Sequence, residues 1–375
     1  MQPEVMTEEK LDLPSGFVRP LILWYNQNAR DLPWRRTKDP YRIWVSEIML
    51  QQTRIEAVMK YYVNFIGRLP TMKNLAECPE EELLKLWEGL GYYSRVRNMQ
   101  KTAQAVSELP ADYEELKKLP GIGSYTAAAV ASIAFSVPQA AVDGNVLRVV
   151  SRLCGSSLDV MEPKTRRLFE EKLTAILKQK KADPGAFNQA LMEVGETICL
   201  PNTEPQCGKC PLKNKCRAFR EGTASEIPVR IRKMKRRTEE RTVLLLEYEG
   251  KTAIRKRPEK GLLAGLYEFP NLPGKLSEEE IAGFALEAGF RTESIIPLAD
   301  AGHIFSHLEW KMHGYAVELK KSEAKQEDSL IFIEPGQLEK SYAMPGAFDA
   351  YRRIMEERAA GEKKLTVNKR VRTGK

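Results

Sequence analysis

Four cysteines carry the densest chemistry in the chain: Cys199, Cys207, Cys210 and Cys216, in the run CLPNTEPQCGKCPLKNKC. Their spacing is C-x7-C-x2-C-x5-C. Four thiolates this close can share one metal centre, either a zinc ion or a cubane iron–sulfur cluster. Two local disulfides are the alternative, but such pairs belong to small secreted domains. The polar, acidic start from Met1 to Lys10 does not read as a signal peptide. Cys78 and Cys154 stand alone in helix-like sequence and read as buried, inert thiols. This cysteine usage fits a reducing, cytoplasmic compartment.

A second signal is the turn in LKKLPGIGSYT, Leu116 to Thr126. Gly121 and Gly123 would permit a tight turn with positive φ and a close approach of backbone N–H groups to a ligand. The turn feeds a helix starting near Ser124, whose free N–H groups and dipole favour a phosphate. By itself, an αα-turn with two glycines is often only a turn. Two carboxylates complete the chemistry. Asp143 lies in VDGNV, Val142 to Val146, and Glu47 in WVSEIMLQQT, Trp44 to Thr53. Ile48, Met49 and Leu50 would give Glu47 apolar surroundings, in which a carboxyl group holds its proton near neutral pH. Taken alone, Glu47 reads as readily as a surface helix residue.

The elements that must position these groups fall into two styles. Phe17 to Arg220 is almost entirely helical in pattern, with apolar spacing in Ile43–Ile48, Val58–Phe65, Leu83–Leu90, Ala127–Phe135 and Leu168–Leu177. After a polar, basic linker come strand-like runs at Thr242–Tyr248, Thr252–Arg257, His313–Leu319 and Leu330–Ile333. A helix over Ser277 to Ala288 carries a capping box, Ser277 with Glu280, and a terminal helix is expected over Pro345 to Ala359. The chain of 375 residues is long enough for two or three domains, and 42% hydrophobic residues suffice for real cores. No long apolar run suggests a membrane span. The net charge is +8, with six basic residues in the eight from Arg230 to Arg237 and six more between Lys363 and Lys375. Such runs are usually solvated, and can also track phosphates.

The hairpin, the VDGNV segment and the four cysteines, in that order, resemble the helix-hairpin-helix DNA glycosylase superfamily, and within it the MutY-type adenine glycosylases. The resemblance covers roughly Phe17 to Ile354. It implies a multidomain protein: mostly α helix-hairpin-helix glycosylase lobes with a four-Cys cluster loop, plus a small α/β Nudix-like C-terminal domain. The corresponding boundaries are a catalytic region over 1–225, with the hairpin about 114–135 and the metal loop 199–216. A linker over 226–241, a Nudix-like domain over 242–360 and a basic tail over 361–375 follow.

The resemblance also implies roles. Glu47 would protonate the departing adenine, and Asp143 would stabilise the cationic sugar, with Asn145 and Tyr125 supporting the site. Bifunctional relatives carry a lysine where Tyr125 stands; a phenol cannot form an imine, so removal of the base without strand cleavage is expected. Trp34, Arg35 and Gln189 match residues around the extruded adenine. Gln52, Thr53, Leu90 and Tyr92 match residues that enter the duplex near the mispair, and Gly121, Gly123 and Ser124 grip its backbone. A [4Fe-4S] cluster is implied for the four cysteines, with zinc as the alternative. The first spacing, x7, departs from the family's usual x6; the x2 and x5 spacings agree.

Lys256 to Pro270 resembles the start of a Nudix-like fold. In the stretch that would bind metal ions, Ala282 to Phe290, Ala282 replaces an arginine, Gly283 and Leu286 replace glutamates, and Glu287 alone remains. Hard divalent ions need several carboxylate oxygens, so nucleotide hydrolysis is not expected. His303, His307 and His313 fall within eleven residues. A metal site is one reading; the other is that Phe305, Ser306 and His307 match a family loop that reads 8-oxoguanine. The expected partner is double-stranded DNA with adenine opposite 8-oxoguanine or guanine, engaged by a monomer, with no membrane. An endonuclease III-like glycosylase/lyase and a catalytically dead damage-binding protein are the competing readings.

Overall fold

The computed structural model describes residues 11–231, 236–322 and 330–361. The acidic start, residues 232–235 of the basic run and the tail beyond Gly361 lie outside them. The helices are α1 (Val18–Asn28), α2 (Pro40–Met49), α3 (Ile55–Arg68), α4 (Met72–Glu77), α5 (Glu80–Leu86), α6 (Ser94–Ala105), α7 (Tyr113–Lys117), α8 (Ser124–Phe135), α9 (Gly144–Cys154), α10 (Pro163–Lys180), α11 (Pro184–Thr197) and α12 (Arg217–Glu221). The strands follow: β1 (Arg237–Tyr248), β2 (Lys251–Lys256), β3 (Tyr267–Glu268), β4 (Asn271–Pro273), β5 (Phe290–Pro297), β6 (Ala301–Ile304), β7 (Leu308–Lys321) and β8 (Ile331–Ile333). Among them lie α13 (Glu278–Glu287), α14 (Pro335–Ser341) and α15 (Asp349–Ala359). Two compact units result, Met1–Cys78 with Arg97–Lys233 and Pro79–Val96 with Met234–Lys375.

The first unit is helical because its apolar residues recur at helical spacing and its helix ends are capped. Asp39 caps α2, accepting from the N–H of Tyr41 at 2.8 Å and of Arg42 at 3.3 Å, and Pro40 occupies the first turn. Asp143 caps α9 by accepting from the N–H of Val146 at 2.7 Å. Helix α8 is buried from Thr126 to Ile133 without a polar face. Its alanines let neighbouring backbones come close; a Cβ on Gly185 of α11 would stand 3.1 Å from the Ile133 Cα. Phe17, Leu21, Val146, Phe169, Leu173 and Phe187 bring α1, α9, α10 and α11 into one core.

In the second unit β1 pairs in parallel with β7, from Arg237 opposite Leu308 to Glu247 opposite Glu318, and β5 pairs antiparallel with β7. The sheet runs β3-β2-β1-β7-β5, with β4 on β1, β6 on β7 and β8 on β2. Side chains alternate across it. Val243 and Leu245 join Trp310, Phe348 and Tyr351 on the α15 face, while Leu244 and Leu246 join Ile281, Ala285 and Phe290 on the α13 face. Gly314 in β7 makes room for Tyr351, whose ring would clash with any Cβ there.

Three details differ from expectation. Strand β1 starts at Arg237, so five residues of the expected linker are paired strand; the backbone bonds to β7 suffice although the side chains of Arg237 to Arg241 stay largely outside the core. Helix α5 ends at Leu86 instead of running to Leu90, because Gly89, Gly91 and Tyr92 adopt positive φ. The segment Pro79–Val96 groups with the C-terminal residues. There the Glu88 carboxylate accepts from the Met344 N–H at 3.1 Å and Arg352 at 2.8 Å, and Lys85 donates to the Tyr342 carbonyl at 3.1 Å. The capping box of Ser277 and Glu280 on α13 forms as the sequence indicates.

Candidate active site

A cavity of 690 Å³ in the first unit gathers most of the residues singled out from the sequence. Glu47 reaches it from α2, Tyr125 from the start of α8, Asp143 and Asn145 from the cap of α9, and Gln189 from α11. Trp34 and Arg35 enter from the short turn before α2, and Gln52, Thr53, Gly123 and Ser124 also line it. Gly121 is not among the lining residues.

Glu47 is 6% exposed. The Tyr125 hydroxyl donates to its Oε2 at 2.7 Å. Burial pushes the Glu47 carboxyl up to about 7; the Tyr125 hydrogen bond and Arg35 oppose the shift, and the Asp143 charge adds to it. Asp143 is pushed up by burial too, against the N–H of Val146, the Arg148 charge and the Asn145 amide, which favour its anion. Asn145 donates to Asp143 Oδ2 at 3.1 Å and accepts from Arg148 at 2.8 Å. The pair is unequal: Glu47 has the Tyr125 phenol as its side-chain partner and feels the Asp143 charge against it, whereas Asp143 is held by three favourable partners. Two carboxyl groups whose surroundings differ in this way can divide acid and anionic roles.

The hairpin geometry corrects one expectation. Gly121 does have positive φ, at 75°, and a Cβ there would fall 2.7 Å from the Asn98 Cβ. Gly123 is extended, with φ −84° and ψ 178°, and serves as the residue before α8. The first bond of α8 runs from the Ala127 N–H to the Gly123 carbonyl at 2.9 Å. The N–H groups of Ser124 to Thr126 are therefore the ones a helix start leaves for an outside acceptor. The Ser124 hydroxyl donates to Glu170 at 3.2 Å.

Gln52 and Tyr92 share a strained feature, positive φ of 59° and 46° without being glycine. Tyr92 is 47% exposed, whereas Leu90 is buried; both belong to the second unit. In that unit Phe305, Ser306 and His307 form the turn between β6 and β7. Phe305 packs edge-on against Trp310 at 5.0 Å, and the Ser306 hydroxyl is hydrogen-bonded to that of Tyr92. His303 packs edge-on against Phe305 at 4.6 Å, and His313 pairs with Asp300 at 3.0 Å.

Cys199, Cys207, Cys210 and Cys216 are all free thiols and line one small cavity with Val149, Leu153 and Phe219. Arg152 donates to the Cys199 sulfur at 3.3 Å. Burial and neighbouring thiols push Cys210 up to about 12. Four thiols around one cavity, three of them raised by burial, with a guanidinium donor fit a soft cationic group, which would draw off their protons. The side chains do not stand grouped as a formed metal site among the described residues.

Among the lining residues that sequence reasoning missed are Arg30, Arg166, Met192, Glu193 and Glu196. Glu193 is four residues after Gln189 on α11, so the two share a helix face, and that spacing could have found it.

Residues 45–177 match the HhH-GPD superfamily of base excision DNA repair proteins, and residues 241–353 match the NUDIX domain family. An adenine DNA glycosylase of Arabidopsis thaliana is 34% identical over 352 residues, 78% of this chain and 55% of that protein. One of Mus musculus is 34% identical over 83% of this chain and 72% of its own length. One of Buchnera aphidicola (strain Bp) is 34% identical over 78% of this chain and 83% of its own.

Proposed function

This chain belongs to the adenine DNA glycosylase family, within the HhH-GPD superfamily of base excision DNA repair proteins, and from that membership we propose that it hydrolyses the bond between adenine and deoxyribose where adenine is mispaired with 8-oxoguanine or guanine in duplex DNA. The observation that carries the reading is the pairing of the buried Glu47, bonded to Tyr125 and pushed up to about 7, with the braced carboxyl of Asp143 in one cavity. An extruded adenine takes that cavity between Trp34, Arg35 and Gln189. Glu47 gives its proton to N7, so that the base leaves neutral instead of as an anion. The C1′–N9 bond breaks, and the Asp143 carboxylate faces the positive charge left on the sugar. Water then adds at C1′ and loses a proton, leaving free adenine and an abasic site. Tyr125 brings a phenol and no amine, so no imine forms and the strand stays whole.

Specificity for the opposite base falls to the turn of Phe305, Ser306 and His307 and to Tyr92. Ser306 accepts from the N7 hydrogen that 8-oxoguanine carries and guanine lacks, a difference worth a few kcal/mol at a desolvated site, about the cost of an unpaired polar group. Cys199, Cys207, Cys210 and Cys216 would hold a [4Fe-4S] cluster, with zinc as the second candidate. Bound there, the cluster would supply a structural tie between the end of α11 and the loop that follows, whose lysines, Lys209, Lys213 and Lys215, would face phosphates.

End-labelled duplexes under single-turnover conditions test the reading. Adenine opposite 8-oxoguanine should break only after alkali, and adenine opposite thymine should survive. Nicking without alkali, or cutting of a thymine glycol duplex, would remove the monofunctional assignment.

A further inference from the structure

Beside Glu47 and Asp143 the cavity wall carries an exposed Glu196 and a buried Glu193, and the proposed chemistry uses neither. Glu193 is 1% exposed on α11, and buried ions persist only where they are paired. Its Oε1 accepts from Arg30 Nε at 2.7 Å and from the Arg30 N–H at 3.3 Å. Its Oε2 accepts from Arg30 Nη2 at 3.0 Å and from Arg35 Nη2 at 2.6 Å. Arg35 also donates to the Arg30 carbonyl at 3.2 Å and lies 5.4 Å over the Tyr25 ring. One carboxylate thus fixes two guanidinium groups, and both line the cavity in which Glu47 sits.

Arginine stays charged under all relevant conditions. Without a counter-charge, the Arg35 guanidinium, whose charge acts on Glu47, would favour the Glu47 anion and strip it of the proton it must donate. We propose that Glu193 is a positioning residue for the acid: it neutralises and tethers Arg30 and Arg35, so that Arg35 can shape the base pocket while Glu47 keeps its proton. The inference rests on the reading of Glu47 as the acid.

The charged surroundings agree with this division. Glu47 faces Tyr125 from α8, Asp143 from the cap of α9 and Arg35 from the turn before α2, and of these Arg35 alone is cationic. Glu193, Glu196 and Glu56 face Arg30. Arg35, Glu193 and Asp183 face Tyr25. Arg166, also on the cavity wall, spends a donor on the Val142 carbonyl at 2.6 Å. Glu193 itself is held down to about 2 by its two arginines, against the cost of burial, so it is anionic throughout the working range.

The test is the pH profile of single-turnover adenine excision from an adenine·8-oxoguanine duplex. Activity that needs protonated Glu47 falls as pH rises through its pKa, and the position of that alkaline limb is the readout. Glu193→Gln should move the limb down by about one pH unit, the effect of an unscreened charge at short range. Arg35→Gln should move it up, the double variant Glu193→Gln/Arg35→Gln should return it towards wild type, and Glu193→Asp should leave it in place. A purely structural Glu193 would lower the rate and leave the limb where it was, which overturns the inference. Should Glu193→Gln fail to fold, an unmoved limb in Arg35→Gln overturns it equally. Glu47→Gln separates the two readings. If that variant is inactive, unmoved limbs sink the positioning role alone; if it excises adenine at the wild-type rate, the assignment of the acid itself falls.

Discussion

Glu47 shows how one buried side chain sets both activity and stability. Its carboxyl is pushed from 4.5 to about 7 because folding removes it from water while offering mainly a phenol as partner. Glu47→Gln keeps shape and hydrogen bonding but has no proton to give, so excision should fall by about 10²- to 10⁴-fold. The same shift has a thermodynamic consequence. A folded-state pKa above the unfolded value contributes stability that is full below about pH 4.5 and is lost as pH rises through about 7. The inactive variant should therefore melt above wild type near pH 8, by on the order of 3 kcal/mol, and close to it near pH 5. Identical melting offsets at the two pH values would show that Glu47 is not the strained acid described here.

At the scale of elements, the site depends on how closely α9 and α11 approach. A Cβ on Gly195 would lie 2.7 Å from the Cβ of Asn145, the residue that braces Asp143. Gly195→Ala must push the two helices apart and carry Asn145 with them, since the contact is with atoms that side-chain rotation does not move. A cost of about 1–3 kcal/mol in chemical denaturation is expected, with excision reduced more than duplex binding. Equal losses in both, or none, would mean that the helix spacing does not set the Asp143 geometry. The same helices lead to the cysteines, since Arg148 donates to the Cys199 carbonyl at 2.7 Å and to the Gly195 carbonyl at 2.8 Å.

Across the whole molecule, residues 79–96 are the least expected part of the architecture. They carry Leu90 and Tyr92, yet their polar anchors are C-terminal: Glu88 with Met344 and Arg352, Lys85 with Tyr342, and Glu81 with Lys256 at 3.2 Å. Glu88→Ala removes the acceptor for Arg352 and for the Met344 N–H, at about 1–3 kcal/mol. Amide hydrogen exchange over residues 80–86 should speed up in that variant. Unchanged protection there would mean that the segment holds itself together.

Much was legible in the residues alone. The helical period from Phe17 onward, the capping box of α13 and the hairpin glycine at 121 are local features, and each formed as its spacing indicates. The segments around Glu47, Tyr125 and Asp143 named the cavity because short stretches of chain carry those groups. The partners of those groups were less legible. Glu193 lies 163 residues from Arg30, and Glu88 lies 264 from Arg352. Pairings over such distances leave no periodic trace, because the intervening chain closes them at a cost that grows only slowly with its length. Local sequence thus determined the elements and the reactive side chains. Tertiary packing decided which charges are desolvated together, and so which carboxyl holds a proton and which holds two arginines.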